Sequence, residues 1–263
     1  MTGRQAIPEP LLEFVGESAD VAAALTRVDA LKGRFDSENA NGRILQNAVE
    51  AIRIELTYHS NAIEGNTLTL RETQLVIEGR TPEGGKPLRE IYEARNHDRA
   101  LRLIETRVRQ RPADTAISER DLLDIHAQVL HEIDTDYAGR YRSERVLIAG
   151  SRYIPPGPHR FEELIPQALA LANRGNVHPV LQAAELHYNT VAIHPFRDGN
   201  GRTARLLMNF HLLGRGYPLT VIDVSQRGEY LAALDEANAG HFAHFALFIC
   251  GCVEKSIKRL ITE

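Results

Sequence analysis

The chain has 263 residues, of which 43% are hydrophobic and 25% are charged, and its formal net charge is -4. This composition is typical of one large globular domain, with or without an N-terminal extension, and it argues against nucleic-acid binding through a basic surface. The polar start from Met1 to Pro10 has no apolar secretory region, and the longest apolar stretch, Phe245 to Val253, is far shorter than the ~20 residues of a membrane helix.

The first predicted helix occupies about residues 44–65, where Ile44 begins an apolar stripe that recurs every four residues. It ends at "SNAIEGN", residues 60–66, because Gly65 followed by Asn66 is a typical helix stop. Glu64 lies at the carboxyl end of this helix, where a carboxylate is unfavourable for the helix dipole. We therefore expect Glu64 to have a partner elsewhere in the fold.

The stretch from Gly79 to Pro87 is rich in glycine and proline and predicts a linker. It divides the chain into a helical N-terminal region, residues 1–85, and a core domain, residues 86–263. Within the core, Ser118 and Asp121 form the pattern of a capping box, and Pro179 suits the first position of a later helix.

Residues 145–158, "RVLIAGSRYIPPGP", interrupt the helical pattern. A β-branched and apolar run, a Gly-Ser turn and a second short run closed by prolines predict a β-hairpin. The fold class expected from the whole chain is therefore mainly α, a helical bundle with one β-hairpin.

The last predicted helix carries a long apolar stripe from Phe242 to Leu260. The two cysteines of the chain, Cys250 and Cys252, lie on it one residue apart, too close for an ordinary disulfide in a helix and without a second pair for zinc. This arrangement favours a reducing compartment, and we expect a cytoplasmic protein.

Residues 194–205, "HPFRDGNGRTAR", concentrate polar, flexible and cationic side chains in one turn. Gly199, Asn200 and Gly201 tolerate positive φ, so successive N–H groups can point into one anion-binding nest. The segment that follows predicts a helix, whose N-terminus also favours anions. Arg202 and Arg205 lie three residues apart on one face of that helix. Together these features predict a polyphosphate site.

Asp198 supplies a hard oxygen ligand to the same turn, and one carboxylate with phosphate oxygens is a common way to hold Mg²⁺. His194 precedes a proline that ends its helix and lies four residues before Asp198. A histidine beside such a site is a candidate general base. The group suits nucleophilic attack on a nucleotide phosphate.

The twelve residues match the signature of Fic-domain proteins, HPFx(D/E)GNGRxxR, at every specified position. The chain thus resembles that family, from about Leu56 to the last helix. The resemblance implies a Fic fold and transfer of AMP from ATP to a Ser, Thr or Tyr hydroxyl of a target protein, with release of pyrophosphate.

The resemblance also implies a role for each signature residue. His194 would deprotonate the target hydroxyl, and Asp198 would coordinate Mg²⁺. Residues 199–201 would cradle phosphate oxygens, while Arg202 and Arg205 would neutralise the β- and γ-phosphates.

The predicted hairpin resembles the family's flap, which would pair with the extended backbone of an unidentified target protein. Further nucleotide contacts implied by the resemblance fall on Thr203, Ala204, Val146, Leu147, Ile148, Ala149, Tyr230 and Asn238.

The stretch "SNAIEGN" resembles the Fic inhibitory motif, (S/T)xxxE(G/N), which places Ser60 and Glu64 in an N-terminal inhibitory helix. The resemblance implies that Glu64 pairs with Arg205, occupies the γ-phosphate position and keeps ATP in an unproductive pose. Autoinhibition is the resulting expectation.

Several alternatives remain open at the level of sequence. Transfer of another phosphate-containing group is one, although Gly201, where phosphate-transferring relatives have lysine, favours AMP. Removal of AMP from targets with help from Glu64 is another, and a non-catalytic nucleotide-binding regulator is a third. The oligomeric state is open, a homo-oligomer included. A metal-dependent phosphohydrolase built on Asn96 to Asp98 is disfavoured, because the other histidines lack ligand geometry on a helix.

Overall fold

A computed structural model describes Leu11, Glu13 and residues 18–113 and 115–261. The predicted N-terminal region therefore begins outside the described residues, as does the polar start from Met1 to Pro10. The described chain is mainly helical, as predicted. Its helices are α1 (Ala19–Ala40), α2 (Gln46–Ile63), α3 (Leu70–Ile77), α4 (Leu88–Gln110), α5 (Glu119–Val129), α6 (Phe161–Asn173), α7 (Pro179–Ile193), α8 (Asn200–Gly214), α9 (Arg227–Asn238) and α10 (Phe242–Lys258).

Several helix ends follow from local sequence chemistry. Ser118 and Asp121 form the predicted capping box at the start of α5. Pro179 is the first residue of α7, as predicted, where its missing N–H costs no hydrogen bond. Helix α2 stops at Ile63, and Gly65 then takes a φ of +97°, which confirms the predicted stop.

The centre of the fold is the pair α7 and α8, whose residues are buried almost without interruption. Helices α2, α4 and α5 pack on α8, and α6, α9 and α10 pack on α7. The predicted apolar stripe of α10 is buried from Phe242 to Ile257. Because α8 is enclosed on several sides, its first turn has a fixed position relative to the helices around it.

The N-terminal helices are packed onto the rest of the chain. Helix α1 lies against α10, and α2 lies against α4 and α8. Helix α3 packs on α2 and α4 and forms a small separate core from Leu68, Val76, Ile91 and Ala94. These contacts cross the predicted boundary between residues 85 and 86, and that boundary stays a prediction.

The predicted β-hairpin over residues 145–158 is wrong in its strand pairing. The chain does turn back, with Gly150 at φ +78° and the Ser151 N–H bonded to the Ile148 carbonyl at 3.2 Å. The described residues of this segment nevertheless contain no strand ladder, only a single bridge residue at Ile154. Two physical reasons apply: Pro155 and Pro156 cannot donate ladder hydrogen bonds, and an isolated two-stranded ribbon is marginal in water.

Helix α10 carries both cysteines, which are buried and form no disulfide among the described residues. Among residues 18–113 and 115–261, none of the helices combines the length and the apolar character that crossing a bilayer requires.

Candidate active site

The signature loop, residues 194–199, joins the two central helices and is braced by its own polar groups. The Asn200 side chain accepts from the Phe196 N–H and donates to the Phe196 carbonyl, both at 2.9 Å. Gly199 takes a φ of +76°, which lets α8 begin at the next residue. A side chain at Gly199 would also contact Val129 and His126. The loop conformation is therefore fixed by residue types that the motif itself supplies.

His126 on α5 supports the same loop, and the sequence analysis missed it. Its ring stacks on Phe196 with centroids 3.5 Å apart. Its Nδ1 accepts from the Gly139 N–H at 3.0 Å, so the Nε2–H donates to the Asp198 carbonyl at 3.0 Å. Burial, more than the nearby charges, lowers the pKa of His126 to about 4, which keeps this neutral tautomer at neutral pH.

His194 ends α7 in the left-handed region, with φ +50° and ψ +56°. This conformation is uncommon for a residue with a side chain and turns the imidazole away from the helix axis. Its Nδ1 lies 3.2 Å from the Val191 carbonyl, which favours a proton on Nδ1 and leaves Nε2 as an acceptor. Burial, together with the charge of nearby Arg142, lowers the pKa of His194 to about 4, against the raising effect of the Val191 carbonyl. At neutral pH the ring is therefore an unprotonated base.

The N-terminus of α8 is covered by a carboxylate from α2. Glu64 Oε1 accepts from Arg205 Nη2 at 2.7 Å. A side chain added at Gly201, in the first turn of α8, would collide with this carboxylate. The first N–H groups of a helix have no acceptor within the helix, so Glu64 stands where an anion would bind them. This is the partner that the position of Glu64 in the sequence led us to expect.

Helix α2 holds Arg205 at more than one point. Ser60 accepts from Arg205 Nε through its hydroxyl at 2.9 Å and from Arg205 Nη2 through its carbonyl at 2.8 Å. Burial, the largest single effect, raises the pKa of Glu64, but the Arg205 charge and hydrogen bond and the Arg202 charge together outweigh it, and the net pKa lies below the ordinary value. The pair is therefore ionised, with Arg205 buried and the Glu64 side chain still 40% exposed.

Arg202 and Asp198 belong to a closed ring of alternating charges with two residues of α4. Arg202 Nη1 lies 3.2 Å from Glu93, and its Nη2 lies 3.4 Å from Asp198. Arg89 completes the ring, at 3.2 Å from Glu93 and 2.5 Å from Asp198. Sequence reasoning missed Arg89 and Glu93, because a charge-rich helix is usually a solvated face. The spacing of four residues between them was the available signal.

A cavity of about 280 Å³ opens beside this ring and is lined by Glu64, Asp198, Arg89 and Arg202 among others. Asp198 is partly exposed to it, and guanidinium groups together with the Gly199 N–H hold the pKa of its carboxyl below the ordinary value against the effect of burial. An ionised carboxylate beside guanidinium groups is a suitable ligand for Mg²⁺. Phosphate oxygens of a bound nucleotide would complete the coordination of that ion. Among the described residues, no three His, Cys, Asp or Glu side chains converge as a metal cage.

The remaining predicted contacts lie in different places. Thr203 and Ala204 are buried inside α8, and the Thr203 N–H is bonded to the Gly199 carbonyl at 2.9 Å. Tyr230 is buried beneath the site, where its hydroxyl lies 3.2 Å from His187 and interacts with Arg205. It therefore contacts the arginine from below and offers no open face to a base.

Asn238 ends α9 and accepts from the Tyr188 hydroxyl at 2.9 Å. It lines a second cavity, of about 360 Å³, together with Gly150 and Tyr153 of the predicted flap. Of the four flap residues predicted to border the nucleotide, Val146 and Ile148 are half-buried and Leu147 and Ala149 are exposed. The structure thus brings the flap turn and Asn238 together, on a cavity separate from the one beside Asp198.

Known proteins resemble this chain in sequence. A family model described as Fic/DOC family matches residues 116–212. A protein named protein adenylyltransferase Fic from Nematostella vectensis is 36% identical over 236 residues, and one of the same name from Drosophila melanogaster is 37% identical over 253 residues. These alignments cover 89% and 91% of this chain but 54% and 49% of the relatives. The chain thus spans about half the length of the curated relatives it matches.

Solved structures resemble it as well. Fic-1 (aa134–508) from C. elegans matches with a TM-score of 0.81 at 32% identity, covering 92% of this chain and 72% of that one. A Fic family protein from Desulfovibrio desulfuricans G20 matches with a TM-score of 0.79 at 26% identity, covering 94% and 75%. The similarity therefore extends over nearly the whole fold.

Proposed function

This chain belongs to the Fic/DOC family, and from that premise we propose that it is a protein adenylyltransferase held inactive by Glu64. The observation that carries the proposal is the first turn of α8. There two buried guanidiniums, those of Arg202 and Arg205, converge with free helix N–H groups and are neutralised by carboxylates. Such a site is built for a strongly charged anion, and a triphosphate is the anion that uses every part of it.

The proposed reaction begins with attack by a Ser, Thr or Tyr oxygen of the target on the α-phosphorus of ATP. A new P–O bond forms to that oxygen, and the bond from the α-phosphorus to the oxygen bridging to the β-phosphate breaks. Pyrophosphate leaves with the electron pair. His194 Nε2 accepts the hydroxyl proton, a role for which the bond between Nδ1 and the Val191 carbonyl orients the ring and leaves Nε2 unprotonated.

Arg202, Arg205 and the N-terminus of α8 serve the departing charge. Transfer at phosphorus depends on positioning and charge neutralisation more than on covalent help from the protein. Mg²⁺, coordinated by Asp198 and phosphate oxygens, would add further neutralising charge when bound. Binding of a triphosphate requires that these side chains exchange their present partners, because Asp198 is now paired with Arg89 and Arg205 with Glu64.

Autoinhibition follows from the place that Glu64 takes. Its carboxylate is bound to Arg205 and lies against Gly201, so a γ-phosphate and Glu64 compete for the same guanidinium. Two like charges at one site repel each other strongly in a partly buried environment. Nucleotide therefore binds either weakly or in a displaced pose while Glu64 remains. The class with an N-terminal inhibitory helix is the class that this geometry supports.

Two finer points complete the proposal. The segment 145–158 binds the target, since its turn lies beside the second cavity and its partners within the segment are few. We place the reaction in a reducing compartment, the cytoplasm, and the two buried thiols on α10, which form no disulfide among the described residues, support that placement.

Intact-mass analysis of the Glu64→Gly protein incubated with Mg²⁺ and ATP tests the proposal. We expect the variant to gain the mass of one AMP per modified site, by self-modification or on an added acceptor, and the wild type to gain far less. The gained mass also separates AMP transfer from transfer of phosphate. Equal incorporation by the two proteins would remove Glu64 as an inhibitor, and no incorporation by either would remove the activity.

The matched control is the double variant Glu64→Gly with His194→Ala. It should bind ATP about as well as Glu64→Gly, measured by calorimetry, because the imidazole serves the acceptor hydroxyl and not the phosphates. It should lose AMP transfer by a factor of about 10²–10⁴, the usual contribution of a general base. A double variant that transfers AMP normally would assign the base to another residue.

A further inference from the structure

Arg142 is a buried arginine whose guanidinium donates to main-chain carbonyls. Within the part of the chain that the structure describes, it forms no hydrogen bond to a carboxylate. It is 2% exposed. Its Nε donates to the His194 carbonyl at 2.8 Å, its Nη1 to the Glu144 carbonyl at 2.5 Å, and its Nη2 to the Pro156 carbonyl at 2.7 Å. One planar group thus contacts the residue after α7, the residue that precedes the segment 145–158, and Pro156 near the end of that segment.

Two further contacts fix this guanidinium in place. It lies over the Phe161 ring, with the central carbon 4.9 Å from the ring centroid. The Arg142 main-chain N–H also donates to the Pro195 carbonyl at 3.0 Å. Backbone and side chain of Arg142 therefore hold the two residues His194 and Pro195 together, at the point where α7 gives way to the signature loop.

Burying the Arg142 guanidinium in this way costs free energy, so its bonds to the carbonyls need an explanation. A buried charge without an ionic partner loses much of its hydration energy, and only complete hydrogen bonding offsets that loss. A hydrophobic side chain would fill the same space at lower cost. The planar fork of arginine, in contrast, can join three carbonyls at fixed distances and angles. The residue type is thus explained by the relative placement of the three carbonyl groups.

We propose that Arg142 is a positioning residue of the AMP-transfer reaction, which fixes the target-binding segment 145–158 relative to His194. The inference rests on the proposed function. An acceptor hydroxyl delivered by that segment must meet Nε2 of an imidazole whose backbone sits at φ +50°. A misplacement of about 1 Å in such a pair can cost about 10²-fold in rate.

The rival explanation is that Arg142 only stabilises the fold. The two roles differ in what they change. A merely structural residue alters the fraction of folded protein, and therefore affects nucleotide binding and catalysis together. A positioning residue alters the turnover of folded protein and leaves nucleotide binding unchanged, because Arg202 and Arg205 lie on α8 and do not depend on the Arg142 carbonyl contacts.

The test compares Arg142→Met, Arg142→Lys and the control Arg140→Met, each in the Glu64→Gly background. Arg140 is exposed and two residues away. We expect Arg142→Met to lower kcat for AMP transfer by about 10²-fold while the Kd for ATP, measured by calorimetry, changes less than about twofold. Lysine keeps the charge but can reach only some of the three carbonyls, so Arg142→Lys should recover part of kcat.

Hydrogen exchange of the folded proteins supplies a second readout that does not depend on activity. Arg142→Lys should raise exchange in peptides covering 145–158 and in peptides covering 194–199 together, and Arg140→Met should raise it in neither. This measurement also decides the case if Arg142→Met fails to fold, because Arg142→Lys is the milder change.

The outcomes separate the two proposals. An inactive Glu64→Gly protein contradicts the proposed function, whatever the Arg142 variants do. An active Glu64→Gly protein with unchanged kcat in the folded Arg142 variants overturns the role of Arg142. The role of Arg142 is also overturned if hydrogen exchange rises in only one of the segments 145–158 and 194–199. The same holds if the affinity for ATP decreases by the same factor as kcat.

Discussion

The signature loop 194–199 and the segment 145–158 both contact Arg142 and are stabilised in different ways. The loop satisfies its polar groups from within, since Asn200 bonds both backbone groups of Phe196 and Gly199 begins α8. The segment has only short-range turn bonds of its own, such as the Ser151 N–H to the Ile148 carbonyl, and Arg142 from outside donates to the Pro156 carbonyl. The backbone of the proposed nucleotide half is thus preformed, while the proposed protein-binding half keeps backbone groups available.

This difference suits the two ligands. A triphosphate would be bound by N–H groups at fixed positions, which work best when they need no rearrangement, while Asp198 and Arg205 would exchange their present partners. A target backbone that adds to the segment as a strand needs unpaired N–H and C=O groups to bind. A complete hairpin ladder would have used half of those groups, and the prolines at 155 and 156 prevent one from forming.

Of the changes considered in the two regions, Asn200→Ala in the loop should lower the free energy of unfolding most. It leaves the buried N–H and carbonyl of Phe196 without partners, and each such loss costs about 1–3 kcal/mol. We expect the free energy of unfolding to fall by about 2–4 kcal/mol, measured by urea denaturation.

The matched control lies in the other region. Ser151 accepts from the Tyr153 N–H at 3.2 Å and is only half-buried, so Ser151→Ala should change the free energy of unfolding by less than about 0.5 kcal/mol. If Asn200→Ala and Ser151→Ala lowered the free energy of unfolding equally, the loop would not be more preformed than the segment.

Acidification should weaken the support of the signature loop, because His126 holds that loop from α5 in its neutral form. Burial lowers the pKa of His126 to about 4 in the folded state, so between its ordinary value of 6.5 and about 4 the unfolded chain binds more protons. Folding stability from this group is complete above pH 6.5 and is lost as the pH falls towards 4. His126→Gln should therefore lose less stability than the wild type between pH 7 and pH 5, by about 1–2 kcal/mol.

Urea midpoints at the two pH values measure this difference. If His126→Gln loses as much stability as the wild type on acidification, the histidine does not hold the loop in its neutral form.

Much of the nucleotide half could be predicted from the sequence, because its geometry depends on neighbours in the chain. The stop after α2 needs only Gly65, the capping box of α5 needs only Ser118 and Asp121, and the turn before α8 needs only its own glycines. The pairing of Glu64 with Arg205, 141 residues apart, came from the family resemblance and not from any local rule.

The rest depended on tertiary contacts that no local pattern contains. Arg89 and Glu93 enter the site because α4 packs on α8. Tyr230 lies buried against Arg205 because α9 packs there, and its contact with a nucleotide stays a prediction. The strand pairing of 145–158 failed because alternating apolar residues indicate an extended chain without showing what pairs with it.

Leu147→Ser should have the smallest effect on stability and yet report directly on the protein-binding half. Leu147 is 63% exposed within segment 145–158, so the change should alter the free energy of unfolding by less than about 0.5 kcal/mol and leave ATP binding unchanged. In the Glu64→Gly background it should lower labelled-AMP incorporation into protein acceptors, because an exposed leucine beside an open backbone edge is a contact for a target. Normal incorporation, with stability and ATP binding intact, would place target binding elsewhere on the surface and leave segment 145–158 without that role.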